Sequence, residues 1–191
     1  MCHSFCACSV SALTSAQIGA LTATQLQSLD ETREGALSGE QIGAFSAKQI
    51  GALTTTQIDL LSDEQIAGIA AGAIKGLTQA QIAFFDPEEI AGLSDVQIGA
   101  FTATQIKGLT ADQIVAMTED QFAALSTAAV KSLSPEQLAL VEPDDVAAFT
   151  PAQIGVLTAG QIPRLTDTQI MSLTLEQISA FSATQARAFT A

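Results

Sequence analysis

Large apolar side chains recur along this chain with a period of eight. From Leu13 to Phe189 every eighth residue is Leu, Ile, Val, Met or Phe, which gives 22 full octads such as LTSAQIGA (13–20), LTTTQIDL (53–60) and LTADQIVA (109–116). An unbroken short period points to a solenoid, array or fibre rather than a globule around one core. A single continuous helix is excluded, because at about 100° per residue the apolar positions would drift by roughly 80° with each octad and form no stripe. A β-solenoid is disfavoured as well, since neither period-2 alternation nor runs of β-branched residues occur.

The polar positions say what one octad is. Numbering it 1 to 8 from the large apolar residue, position 2 is Ser, Thr or Asp in 20 of 22 units and position 5 is Gln in 17. That spacing is a capping box: the position-2 hydroxyl accepts from the N3 amide, and the N3 side chain reaches back to the N-cap amide. Position 6 is apolar and larger than Ala in 20 of 22 units. It falls at N4 while position 1 falls at N′, so a hydrophobic staple is written into nearly every unit. Pro87, Pro135, Pro143 and Pro151 all occupy position 3, the N1 site where proline costs no hydrogen bond. Pro163 sits at position 7 and predicts a helix that ends early or is distorted. Eighteen of 20 acidic residues lie at positions 2 to 5, against the positive helix start, with Glu34 and Asp59 the exceptions. Small residues crowd positions 7 and 8, where the chain must turn and pack closely.

The predicted fold is therefore all-α: a solenoid of about 22 very short helices, one per octad. Each helix of about one and a half turns is roughly 9 Å long and does not survive alone. Positions 1 and 6 must supply a continuous apolar spine. Residues 13–191 form the solenoid, and residues 1–12 a degenerate N-terminal cap unit in which Phe5 takes position 1, Cys6 the N-cap and Val10 position 6.

A longer period overlies the first. The acidic variants LDETREGA, FDPEEIAG and VEPDDVAA begin at Leu29, Phe85 and Val141, and the units carrying Lys75, Lys131 and Arg187 share that spacing of seven octads. It marks a duplicated block. If seven octads make a whole number of superhelical turns, the acidic units align in one column and the basic positions in another.

Composition narrows the function. With 20 acidic and seven Lys and Arg residues the net charge is −13, which argues against nucleic acid and anionic membranes as partners and leaves a basic protein partner open. Trp and Tyr are absent, removing the usual interface and sugar-stacking anchors. No apolar run approaches the roughly 18 to 20 residues that span a bilayer, and no signal peptide is visible at the N-terminus.

The chain's distinctive chemistry lies in its first residues. Cys2, His3, Cys6 and Cys8 are its only Cys and His residues. Three thiolates and an imidazole are a competent set for Zn or Cu(I). An odd cysteine could instead bridge two molecules, a terminal thiol could be acylated, or the segment could be a frayed cap with idle thiols. The carboxylate pairs Asp63/Glu64, Glu88/Glu89, Glu119/Asp120 and Asp144/Asp145 lack calcium-loop spacing. They read as helix-start residues. A nucleophilic triad is untenable with one terminal His. The chain is read as non-enzymatic, catalytic and cofactor-binding residues being none. It is a structural repeat protein acting as scaffold, spacer or self-assembling subunit, with metal binding as the alternative.

The runs LTSAQIGALTATQ, FSAKQIGALTTTQI and FTATQIKGLTADQI resemble the L-[ST]-x-x-Q-[IV]-x-A octad arrays of very large bacterial secreted and surface proteins. The resemblance covers nearly the whole chain and implies a spacer or scaffold in an extracellular bacterial setting. The sequence also stops inside a repeat, at Phe189, Thr190 and Ala191, so the spine is expected to continue end to end into a fibre or tube of identical copies.

Overall fold

The computed structural model of the chain describes residues 10–29, 32 and 35–189. Among them are 20 α-helices of four to six residues, one 3-10 helix and no strand. Each α-helix among the described residues begins at octad position 3, and most carry the capping box. In the Ala111–Ala116 helix, Thr110 is extended at φ −73°, ψ 167°, and its hydroxyl accepts from the Gln113 amide while the Gln113 carboxamide accepts from the Thr110 N–H. The same box recurs from Thr14/Gln17 to Ser182/Gln185. Pro87, Pro135, Pro143 and Pro151 each open a helix. Pro163 distorts its unit as its position demands. The chain there forms only a 3-10 turn, Ile162–Arg164, although Thr158 still caps Gln161.

Positions 1 and 6 form the spine. Ile18, Ile58, Ile82, Ile106 and Ile154 at position 6 are fully buried or nearly so, and Leu53, Phe85, Leu109 and Phe149 at position 1 join them in one continuous cluster. Val10, assigned to position 6 of the cap unit, is buried too. Phe122 and Phe149 meet edge to face at 5.7 Å, a preferred aromatic geometry.

Helices stack on helices three octads away: Gly39–Gly43 on Asp63–Gly68, Pro87–Gly92 on Ala111–Ala116, and Glu119–Ala124 on Pro143–Ala148. The small residues at positions 7 and 8 make this approach possible. A Cβ on Gly76 would collide with the Ala47 carbonyl, and one on Gly43 would lie 2.9 Å from the Gly68 carbonyl oxygen. No described residue has a positive φ. These glycines are needed for closeness, not for a left-handed turn.

The pitch follows from the position-5 Gln. Its Oε1 is used within its own octad, and its Nε2 donates across the stack to carbonyls 28 and 31 residues earlier. Gln113 reaches Phe85 and Ile82 at 2.7 and 2.8 Å, and Gln153 reaches Leu125 and Phe122 at 2.7 and 2.9 Å. One superhelical turn thus takes about 28 residues, or three and a half octads. One turn therefore shifts the octad register by half a unit. Seven octads make two turns.

Candidate functional site

Most buried polar chemistry in this fold is architectural. From Gln41 to Gln185, every position-5 Gln is at most 8 % exposed. For most of them the carboxamide satisfies one amide of its own octad and two carbonyls of the preceding turn. The sequence pattern assigns these residues the cap alone. The cross-turn bonds are the role it misses, and burial of a residue that a cap leaves on the surface is the sign of it.

The carboxylates stand where the helix-start reading puts them. Asp63/Glu64, Glu88/Glu89, Glu119/Asp120 and Asp144/Asp145 all lie in the first turn of their helices. The superhelix then gathers them. Glu89 feels the charges of Asp63 and Asp59, and Asp145 that of Glu119, all one turn away. Asp63, Glu88 and Glu89 line a cleft of about 150 Å³ between turns.

Glu89 and Asp145 occupy the Gln position of their octads. Glu89 accepts from the Asp86 N–H at 2.7 Å, as a Gln would, but as a carboxylate it has no proton to offer the preceding turn. Burial, then repulsion from Asp86, Asp63 and Asp59, raises its carboxyl above the ordinary range. Burial, then the charges of Glu142 and Glu119, pushes Asp145 up to about 6, against the Glu142 amide that lowers it. No three His, Cys, Asp or Glu converge as a metal site among the described residues.

The cations form their own column. Lys107 and Lys131, three octads apart, line one cleft of about 630 Å³ with Leu109 and Ser134, and Arg164 meets Glu136 of the preceding turn at 3.3 Å. The candidate metal ligands Cys2, His3, Cys6 and Cys8 lie outside the described residues. No helix among the described residues is long and apolar enough to cross a membrane.

The comparison with known families agrees with the repetitive character of the chain. No curated protein matches the chain. Residues 96–127, the length of four octads and containing AFTATQ, GLTADQ and AMTEDQ, match the family model of the ALTTAQ repeat.

Proposed function

We propose that the chain is a non-enzymatic structural repeat protein, a rigid spacer or scaffold that fixes the distance and azimuth of the groups it carries. The Gln ladder supports this reading most directly, because it commits the buried polar side chains to holding one turn on the next. At about 8–10 Å between packed helices, the roughly six turns make a rod on the order of 50–60 Å long. Such a rod needs no cofactor and no catalytic residue. Small-angle scattering tests it: a maximum dimension and cross-section of a compact 19.7 kDa globule would defeat the proposal.

A second reading, assembly into filaments, is favoured by the stacking chemistry itself. A turn that offers Gln amides to the carbonyls of its neighbour offers the same donors to an identical turn of another molecule. Sedimentation velocity across a concentration series, with and without reductant, separates the two. A concentration-independent monomer in both conditions leaves the spacer and removes the filament.

A further inference from the structure

Five of the nine large apolar side chains exposed among the described residues fall in one row on the outside of the rod: Leu60, Phe84, Val115, Leu140 and Met171, each 40–76 % exposed, with Val96, Leu175, Ile178 and Phe189 off it. The five in the row occupy octad positions 7 and 8, which elsewhere are mostly small. Successive members are between three and four octads apart, which is one superhelical turn each time. They therefore form a single ridge along the rod, one residue per turn. Carboxylates flank it throughout: Asp59 and Asp63 beside Leu60, Asp86 and Glu88 beside Phe84, Glu119 beside Val115, Asp144 beside Leu140. Of the 17 acidic residues within the described chain (20 less Asp30, Glu31 and Glu34), all but Glu40, Asp95 and Glu136 fall within about a third of a turn around this ridge at 28 residues per turn.

The cations Lys48, Lys75, Lys107, Lys131, Arg164 and Arg187 fall in a separate column within about a fifth of a turn, centred about a third of a turn from the ridge. That column carries mostly Ala, Ser and Thr around its charges. A second copy presenting its basic column would meet the carboxylates and leave the apolar ridge uncovered.

We propose that the acidic, ridged face docks a basic amphipathic helix lying along the rod. Its apolar stripe covers Leu60 to Met171 and its Lys or Arg flanks meet the carboxylates on either side. Spacing supports a helix. Turns of packed helices lie about 8–10 Å apart, and a helix repeats its stripe every seven residues, about 10.5 Å at about 1.5 Å per residue. An extended strand repeats a face every roughly 7 Å. An isolated exposed apolar residue is ordinary, but a continuous row rimmed by one sign of charge marks an interaction surface.

The test uses the native chain and a labelled 18-residue peptide of Leu and Lys with Leu at i, i+4 and i+7 spacing, read by fluorescence anisotropy at 0.15 M salt. Its control has Gln for every Leu and the same charge. The Leu–Lys peptide is expected to bind at least tenfold tighter than the control. The F84S/V115S/L140S variant brings it down to the control level, because these exposed changes leave the spine intact. E119Q/D144N weakens binding severalfold, whereas E40Q/E136Q, which changes the net charge equally off the ridge, leaves it within twofold. Absence of binding, equal binding of the two peptides, or equal loss from the two charge variants would each overturn the proposal.

Discussion

Removing one rung of the Gln ladder should cost far more than removing a helix cap. Gln113 is 1 % exposed; its Oε1 accepts from the Thr110 N–H at 2.9 Å, and its Nε2 donates to the carbonyls of Ile82 and Phe85. In Gln113→Ala the Thr110 hydroxyl still accepts from the residue-113 amide, but the reciprocal bond of the capping box, from the Thr110 N–H, is lost, worth about 1 kcal/mol. The Phe85 carbonyl loses its side-chain donor inside the stack, at about 1–3 kcal/mol for a buried acceptor left unmet. The Ile82 carbonyl keeps the bond from the Phe85 N–H at 3.1 Å and loses its second donor, about 0.5–1.5 kcal/mol. The sum is about 2.5–5.5 kcal/mol. Gln113→Glu keeps the cap acceptor and loses both donors, so at neutral pH it should recover no more than the cap. Urea unfolding followed by circular dichroism at 222 nm reads both. A loss near 1 kcal/mol for Gln113→Ala, roughly the cap alone, with Gln113→Glu at native stability, would show that the cross-turn bonds contribute nothing and that the ladder is only a set of caps.

Three further outcomes follow from the same geometry. Ile114→Ala empties a position-6 site that is 1 % exposed and should cost about 2–5 kcal/mol in urea unfolding; a cost near zero would place position 6 outside the core. Glu89→Gln supplies the missing donor toward the Ile58 and Leu61 carbonyls of the preceding turn and should stabilise the chain at pH 7 by about 1–2 kcal/mol, with destabilisation as the refuting result. Asp145 is raised in the folded chain to about 6 from 3.8, so the folded state holds more protons than the unfolded chain between those values. Its contribution makes stability fall as pH rises from about 4 to about 6 and then level off; Asp145→Asn should flatten that part of the pH–stability curve, and an unchanged slope would refute the assignment.

The local structure was legible because each octad states it several times over. Thr110 and Gln113 specify the helix start, Leu109 and Ile114 its buried face, and Pro87 or Pro151 its first residue, all from contacts within six positions of one another. Pro163 even announces its own broken helix. The superhelix was not legible. The number of octads per turn depends on which distant carbonyls the Gln amide meets, and no local pattern encodes a partner more than three octads away. By sequence the glycines at position 7 could serve the turn as well as the packing, whereas no glycine among the described residues has a positive φ, and Gly43 serves close approach alone. The ridge leaves a signal too, because Leu60, Phe84 and Leu140 are large where position 8 is mostly small. Only the length of the superhelical turn shows that they share a face. The candidate ligands Cys2, His3, Cys6 and Cys8 fall outside the described residues.

The seven-octad period has a physical meaning in this geometry. With three and a half octads per turn, one turn shifts the octad register by half a unit, and only two turns bring the same octad position back to the same azimuth. A feature confined to one face and one octad position must therefore repeat every seven octads. Ala73 and Ala129, which replace the ladder Gln, are seven octads apart, and so are Glu89 and Asp145. The block length is thus the shortest duplication that preserves the azimuth of every side chain. Insertion mutants test the idea. Duplicating residues 109–116 adds one cap, one staple and one rung, so helical content should rise slightly and the chain stay folded. Everything beyond the insertion rotates by one octad in three and a half, a little over a quarter of a turn, against the part before it. The break falls between the two copies of Val115 and leaves two half-ridges of three side chains each, so binding of the Leu–Lys peptide should weaken severalfold. Duplicating residues 93–148, a full seven octads, lengthens the ridge by two turns and should leave binding intact or tighter. If the one-octad insertion binds as well as the native chain, the ridge is not read as a continuous face and the period records only ancestry.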